Sequence, residues 1–270
     1  MPEPEQPTSR SILLWPGAPP NSAPGNDFRP WLDPFPIQTD TPKGAVLICP
    51  GGGYRNRAPH EGTPIARAFN AAGFHAFVVQ YRVAPNHHPA PLMDASRALR
   101  VIRERADEWK VDRDRIAVCG FSAGGHLAAS LGVYCDDGDA KAADVIERHS
   151  CRPNALILCY AVFSTGEFGH RGCWTNLLGE NPSEEALRRM SLELRVTEET
   201  PPAFLWHTVA DPIVPVENAL LMAEALRRHK VPFELHVYPE GRHGLGLAPN
   251  NPHVATWMGL CCQWLRGMGW

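Results

Sequence analysis

Apolar residues gather along this chain into short unbroken runs, separated by longer stretches in which they recur three and four positions apart. The run Ala-Val-Leu-Ile-Cys at 45–49 has no polar break, as expected of a strand covered on both faces. Similar runs at 76–79, 116–119, 155–159, 203–206 and 233–237 predict five more strands. Between them, 63–72 reads as a helix closed by Gly73. Leu92, Ala95, Leu99, Ile102 and Ala106 form one apolar helical stripe. A helix of small residues is expected from about 123 to 132. Another is expected over 217–229, with Val216, Leu220, Ala223 and Leu226, or Leu221 and Ala225, facing inward. A closing helix over 252–266 carries Trp257 and Trp264. Strand and helix in alternation predict an α/β fold, a mostly parallel central sheet with helices on both faces.

Two stretches break this rhythm. Residues 1–42 hold much of a proline content of 27 in 270, about twice the usual share of roughly 5%. They read as an extended segment with one strand at 11–15, and Trp15, Phe28, Trp31 and Phe35 require it to pack on the core. The domain proper then spans 43–270. Inside it, 161–202 has a single helical run at 183–190 and reads as an insertion that forms a lid or substrate wall. No internal repeat is present.

The length suits one α/β domain with a large core. Lys and Arg number 26 against 29 Asp and Glu, a net charge of −3, which leaves no basic footprint for nucleic acid. No stretch approaches the roughly 18 apolar residues of a membrane span, so no membrane association is expected. Residues 1–10 are acidic and Pro-rich rather than basic and then apolar, so they do not read as a signal peptide, and a cytoplasmic location is expected. The eight cysteines agree. Cys49, Cys119 and Cys159 lie in strand-like runs, Cys261 and Cys262 are adjacent, and no metal-ligand spacing occurs. They are expected to be reduced, structural thiols. The apolar end 257–270 fits either the core or the interface of a homo-oligomer.

The candidate chemistry falls at the carboxyl ends of the predicted strands, where ligands of open parallel sheets gather. Gly-Phe-Ser-Ala-Gly at 120–124 follows the strand at 116–119 and precedes a helix. A serine in so sharp a turn needs small neighbours two positions away on either side, and Gly120 and Gly124 supply them. Ten serines and 23 glycines predict only about 0.07 chance matches to this pattern, so Ser122 is a candidate nucleophile. Pro-Gly-Gly-Gly-Tyr at 50–54 lacks the Lys-Ser/Thr ending of a phosphate loop and fits instead an oxyanion hole, with Ala123 N–H as a further donor. Asp211, past the strand at 203–206, is the candidate acid, with Glu217 as runner-up. His243, flanked by Gly244 after the last strand, stands out among twelve histidines. His126, on the helix after the serine, reads as a packing or capping residue. The order Ser122, Asp211, His243 is that of a strand–turn–helix hydrolase triad.

At these motifs the sequence resembles the α/β-hydrolase superfamily, in its esterase branch related to hormone-sensitive lipase. The branch's His-Gly-Gly-Gly stands here as Pro-Gly-Gly-Gly at 50–53, and its Tyr-Arg-Leu-Ala-Pro as Tyr-Arg-Val-Ala-Pro at 81–85. Trp-Pro-Gly-Ala-Pro at 15–19, Gly-Phe-Ser-Ala-Gly-Gly-His-Leu-Ala at 120–128 and Gly-Arg-His-Gly-Leu-Gly at 241–246 are similar to small bacterial acetylxylan esterases. The resemblance covers about 43–268. It implies Ser122 as nucleophile, His243 as base, Asp211 as orienting acid, and Gly52, Gly53 and Ala123 as oxyanion donors. The proline at position 50 leaves the donating pair of glycines open. Tyr54, Trp174 and Trp206 are candidates to line the acyl pocket or stack on a sugar, with core packing as the other reading of each. The expected activity is hydrolysis of short-chain esters through an acyl-enzyme, on a small-molecule ester or acetylated sugar, with no metal or cofactor. Alternatives of the same fold are an arylformamidase, a small peptidase, or a hydrolase-fold ligand receptor or scaffold.

Overall fold

The computed structural model describes residues 6–270. Residues 1–5 of the expected N-terminal segment lie outside the described residues. Among the described residues one sheet is built from β1 (Ile12–Leu13), β2 (Trp31–Phe35), β3 (Lys43–Cys49), β4 (His75–Gln80), β5 (Val111–Phe121), β6 (Ala155–Cys159), β7 (Ala203–Thr208) and β8 (Phe233–Tyr238). The spatial order is β1-β2-β4-β3-β5-β6-β7-β8. From β4 to β8 all neighbours run parallel, and β2 pairs antiparallel with both β1 and β4.

The period-two alternation of the central strands divides the core into two layers. Val46, Ile48, Ala117, Cys119, Ile157 and Phe204 face α1 (Thr63–Ala71) and α8 (Pro252–Gly267). Leu47, Phe77, Val118, Leu156, Leu158 and Leu205 face the other way, toward α2 (Ala90–Glu104), α4 (Ala123–Val133) and α7 (Glu217–Arg228). A short α3 (Ala106–Trp109) precedes β5, and α5 (Arg171–Leu178) and α6 (Glu184–Met190) lie in the insertion. Among the described residues no helix is long and apolar enough to cross a membrane. All eight cysteines are free thiols, and all but Cys135 are buried.

The six strands read from apolar runs are present, with β5 extending further at both ends than expected. Three readings need correction. The expected strand at 11–15 is only the pair Ile12–Leu13, and its partner β2 went unread because Asp33 and Pro34 interrupt the apolar pattern. Pro34 is tolerated because β1 covers only Trp31 and Leu32, which leaves β2 an edge strand at that point. On α7 the expected Ala223, Ala225 and Leu226 are buried, together with Asn218, Ala219 and Met222, but Leu220 is exposed. In the insertion α5 joins the expected α6.

The described part of the N-terminal segment is tied to α2 by a buried ion pair. Arg82 Nε and Nη2 each donate to Asp94 at 2.8 Å, and both side chains are fully buried. The Trp15 indole N–H donates to the same carboxylate at 2.9 Å, and Arg82 Nη1 reaches the carbonyl of Pro20 at 2.5 Å. Arg97 lies 4.5 Å over the Trp15 ring. Trp257, left open between core and interface by the sequence, is buried and stacks on Trp206 at 5.3 Å. Removing one partner of the Arg82–Asp94 pair leaves a buried charge uncompensated. Asp94→Ala is therefore expected to lower the unfolding free energy by about 3–5 kcal/mol. Urea denaturation checks this, and a loss below about 1 kcal/mol contradicts it.

Candidate active site

The site begins with a topological fact. The chain leaves β3 for β4 on one side, then crosses to β5 on the other, so β3 and β5 are neighbours at the point where strand order reverses. Cys49 pairs with Gly120, and the loops that follow these residues are forced together. A Cβ at position 120 would sit 2.1 Å from the carbonyl oxygen of Gly124, and one at 124 would sit 2.1 Å from that of Cys49. Only glycine fits either place. Between them Ser122 takes φ 52° and ψ −120°, a strained backbone for an L-residue. Its N–H donates to the carbonyl of Cys159, which anchors the turn to β6.

The three residues expected to act together meet there. Ser122 Oγ lies 2.8 Å from His243 Nε2, and His243 Nδ1 lies 2.7 Å from Asp211 Oδ2. A carboxylate only accepts hydrogen bonds, so Nδ1 carries the proton and Nε2 presents its lone pair to the serine hydroxyl. Asp211 sits in the turn after β7, and its Oδ1 accepts the N–H groups of Ile213 and Val214 at 2.9 and 3.0 Å. Burial raises its pKa, but hydrogen bonds from His207, His243 and Val214 outweigh that, and the carboxyl stays well below its ordinary value. It is charged throughout the neutral range. Glu217 opens α7 and has no part in this relay, because both imidazole nitrogens are already engaged.

The Pro-Gly-Gly-Gly loop packs directly on the serine. A Cβ at Gly51 would lie 3.0 Å from Ser122 Cβ. The N–H of Gly51 is already given to Glu61 Oε2 at 2.8 Å, so Gly51 has no donor left for a ligand. Among the described residues the N–H groups of Gly52, Gly53 and Ala123 meet no protein acceptor. Gly52 and Gly53 have φ of 129° and 62°, so an L-side chain is strained at both. Tyr81 Oη donates to Pro50 O at 2.5 Å, Ala84 N–H to Tyr54 O at 2.8 Å, and Asn176 of α5 to Gly53 O at 2.8 Å. The Tyr-Arg-Val-Ala-Pro stretch and the insertion thus hold the loop from two sides. The arrangement can pass a proton from a hydroxyl to an imidazole, and it offers free N–H donors beside that hydroxyl.

The three aromatic candidates are all buried, in line with the core-packing reading of each. Tyr54 is 1% exposed, and its hydroxyl lies 2.8 Å from His126 Nδ1, so it braces the loop from behind. Trp206 is fully buried in the core. Trp174 is also buried, edge-on to His126 at 5.0 Å, but borders a cavity of about 500 Å³ with Thr165, Arg171, Glu180 and Asn181. His126 Nε2 donates to the carbonyl of Met190 at 3.0 Å, which leaves Nδ1 to accept from Tyr54. The sequence reading missed Glu61, Tyr160 and Asn218, which are buried and polar. Asn218 holds the backbone of Phe163 and Ser164 at the root of the insertion. Such residues carry no motif, and Glu61, just before a helix, looks like any acid near a helix start.

The BD-FAE family model matches residues 35–226. The chain belongs to the BD-FAE family. Among solved structures, an acetyl ester-xyloside bifunctional hydrolase from Caldicellulosiruptor lactoaceticus is 47% identical, with a TM-score of 0.94 over 96% of each chain. Among curated proteins, this BD-FAE chain is 40% identical over 86% of its length to Endo-1,4-beta-xylanase B of Butyrivibrio fibrisolvens. It is 29% identical over 85% to an acetylxylan esterase of Xylanibacter ruminicola. It spans only 37% and 45% of those two proteins. The α/β-hydrolase fold anticipated from the motifs is the fold of this BD-FAE chain.

Two stability effects follow from this geometry. Ser122→Gly relieves the strained φ, so it is expected to be about 1 kcal/mol more stable than Ser122→Ala, a rise of roughly 2–4 °C in melting temperature. Calorimetry of the two variants checks this, and equal melting temperatures contradict it. Burial lowers the His126 pKa from 6.5 to about 4. Between those values the unfolded chain binds a proton that the folded chain does not, so stability falls as pH drops through this window, by on the order of 3 kcal/mol in all. His75 and His88 are also lowered by burial and act in the same direction. His126→Gln is expected to make the pH dependence of the urea midpoint shallower over this range. An unchanged slope contradicts the assignment.

Proposed function

We propose that this chain is a serine esterase that removes short acyl groups, acetyl above all, from acetylated xylo-oligosaccharides or related sugars. The observation that carries the reading is the continuous relay Ser122–His243–Asp211 beside three backbone N–H groups with no protein acceptor. The names of the relatives support the substrate class: one is an acetylxylan esterase and one an acetyl ester-xyloside hydrolase.

In the proposed reaction His243 Nε2 takes the Ser122 proton as Oγ attacks the ester carbonyl carbon. The carbonyl oxygen gains the negative charge, and the N–H groups of Ala123 and of Gly52 or Gly53 stabilise it, each typically contributing about 10²–10³ in rate. Asp211 holds the Nδ1–H tautomer and offsets the charge of the imidazolium. The intermediate collapses with transfer of that proton to the leaving sugar oxygen, and an acetyl-Ser122 ester remains. Water, deprotonated by His243, attacks this ester, and the imidazolium returns that proton to Ser122 Oγ as the acyl bond breaks and acetate leaves. Every proton is accounted for by His243, and no step calls on a metal or cofactor.

Ser122→Ala is expected to keep the fold and to lose p-nitrophenyl acetate turnover by about 10⁴-fold or more. Activity within tenfold of the parent contradicts the nucleophile assignment. A fluorophosphonate probe is expected to label the parent at Ser122 and to leave this variant unlabelled. In an acyl-chain series acetate esters are expected to be hydrolysed faster than octanoate esters. The reverse order contradicts the substrate class.

A further inference from the structure

We propose that Glu61 is a positioning residue that sets the oxyanion loop and the His243 loop in one fixed relation to Ser122. The inference rests on the esterase reading and deepens it. Glu61 is 2% exposed, an unusual place for a carboxylate, which loses much hydration there. Its two oxygens serve two different loops. Oε2 accepts the N–H of Gly51, which precedes the free amides of Gly52 and Gly53 and lies against Ser122. Oε1 accepts the hydroxyl of Tyr160 at 2.6 Å. That hydroxyl in turn accepts the N–H of Gly246 at 2.9 Å, and the Tyr160 ring stands edge-on to the His243 imidazole at 5.1 Å. The neighbouring His60 adds a second tie, since its Nε2 lies 3.0 Å from the carbonyl of Gly244 and 3.7 Å from Glu61.

The hydrogen bonds of this chain converge on Glu61 from both ends. Gly246 N–H donates to Tyr160, Tyr160 O–H donates to Glu61, and Gly51 N–H donates to Glu61 from the opposite end. Both carboxyl oxygens must accept. An amide in place of the carboxylate turns an NH₂ toward one of two donors, and it keeps both contacts only if the Tyr160 hydroxyl reverses. The link therefore matters most when charge develops at the ester oxygen and the imidazole together, because misplacing either group by about 1 Å costs on the order of 10²-fold in rate. Ground-state binding of a small acetate ester depends on it far less.

The test uses the full chain and p-nitrophenyl acetate. Parent turnover and fluorophosphonate labelling at Ser122 are measured first, and their absence refutes the esterase reading itself. With the parent active, Glu61→Gln is expected to lower kcat by roughly 30–100-fold and to leave KM within about threefold. Affinity for methylboronic acid, which forms a tetrahedral adduct on serine, is expected to fall in parallel with kcat/KM. Tyr160→Phe, which keeps the ring but removes the link, is expected to lower kcat in the same way, and the double variant to be no worse than about threefold below Glu61→Gln. Should Glu61→Gln not fold, Tyr160→Phe alone reads the same link. A kcat within threefold of the parent, a loss carried by KM, or effects of the two substitutions that multiply overturns the proposal while leaving the esterase reading intact.

Discussion

Two adjacent parallel strands deliver their loops to one place, and the site depends on how closely those loops approach. β3 and β5 end side by side, with Cys49 opposite Gly120, so the loop carrying the free amides and the turn carrying Ser122 must interleave. The approach is closer than any side chain allows. At Gly120 and Gly124 the space that a methyl group would need is taken by backbone carbonyls, and at Gly51 by the carbonyl of Phe121 and the Glu61 carboxylate. Glycine keeps the loops close, and the strain of closeness falls on Ser122, whose φ of 52° projects the hydroxyl out of the turn.

Around this contact the electrostatics are built almost wholly from hydrogen bonds of fixed direction. Asp211 accepts from two backbone amides and from His243, so the carboxylate is charged and the imidazole is left in one tautomer. His126 is kept neutral by burial, and its two nitrogens divide into a donor to Met190 and an acceptor from Tyr54. Glu61 and Tyr160 extend the same logic between loops. Donors and acceptors whose roles are settled in the resting fold need little reorganisation when charge moves, which is the condition for electrostatic catalysis.

Much of this was legible from residues alone, for identifiable reasons. The buried parallel strands announce themselves as unbroken apolar runs, and the triad candidates are marked by glycine and by position at strand ends. β2 was hidden because an edge strand can accept Asp33 and Pro34, which no apolar pattern includes. α5 was hidden by its composition of Gly, Thr and Asn, and it stands because His170 caps it and Trp174 and Leu177 are buried beneath it. Leu220 misled because the periodicity of α7 fits two faces, and the sheet takes the one with Ala219 and Met222. Tyr54 follows the glycines directly, and its left-handed φ of 56° accompanies a side chain buried against His126, a placement that no motif reveals. Glu61 lies far from Tyr160 in the sequence, and only the fold gives its charge a meaning.

In the proposed reaction everything depends on Ser122 attacking the ester and carrying the acyl group. The most direct measurement is mass spectrometry of the protein acid-quenched during turnover of an activated acetate ester, with the modified peptide sequenced. One acetyl group, on Ser122, is expected to appear and decay at the rate of turnover. Acetylation confined to another residue, or full turnover with no acetyl-enzyme at any quench time and no labelling of Ser122 by a fluorophosphonate, contradicts it.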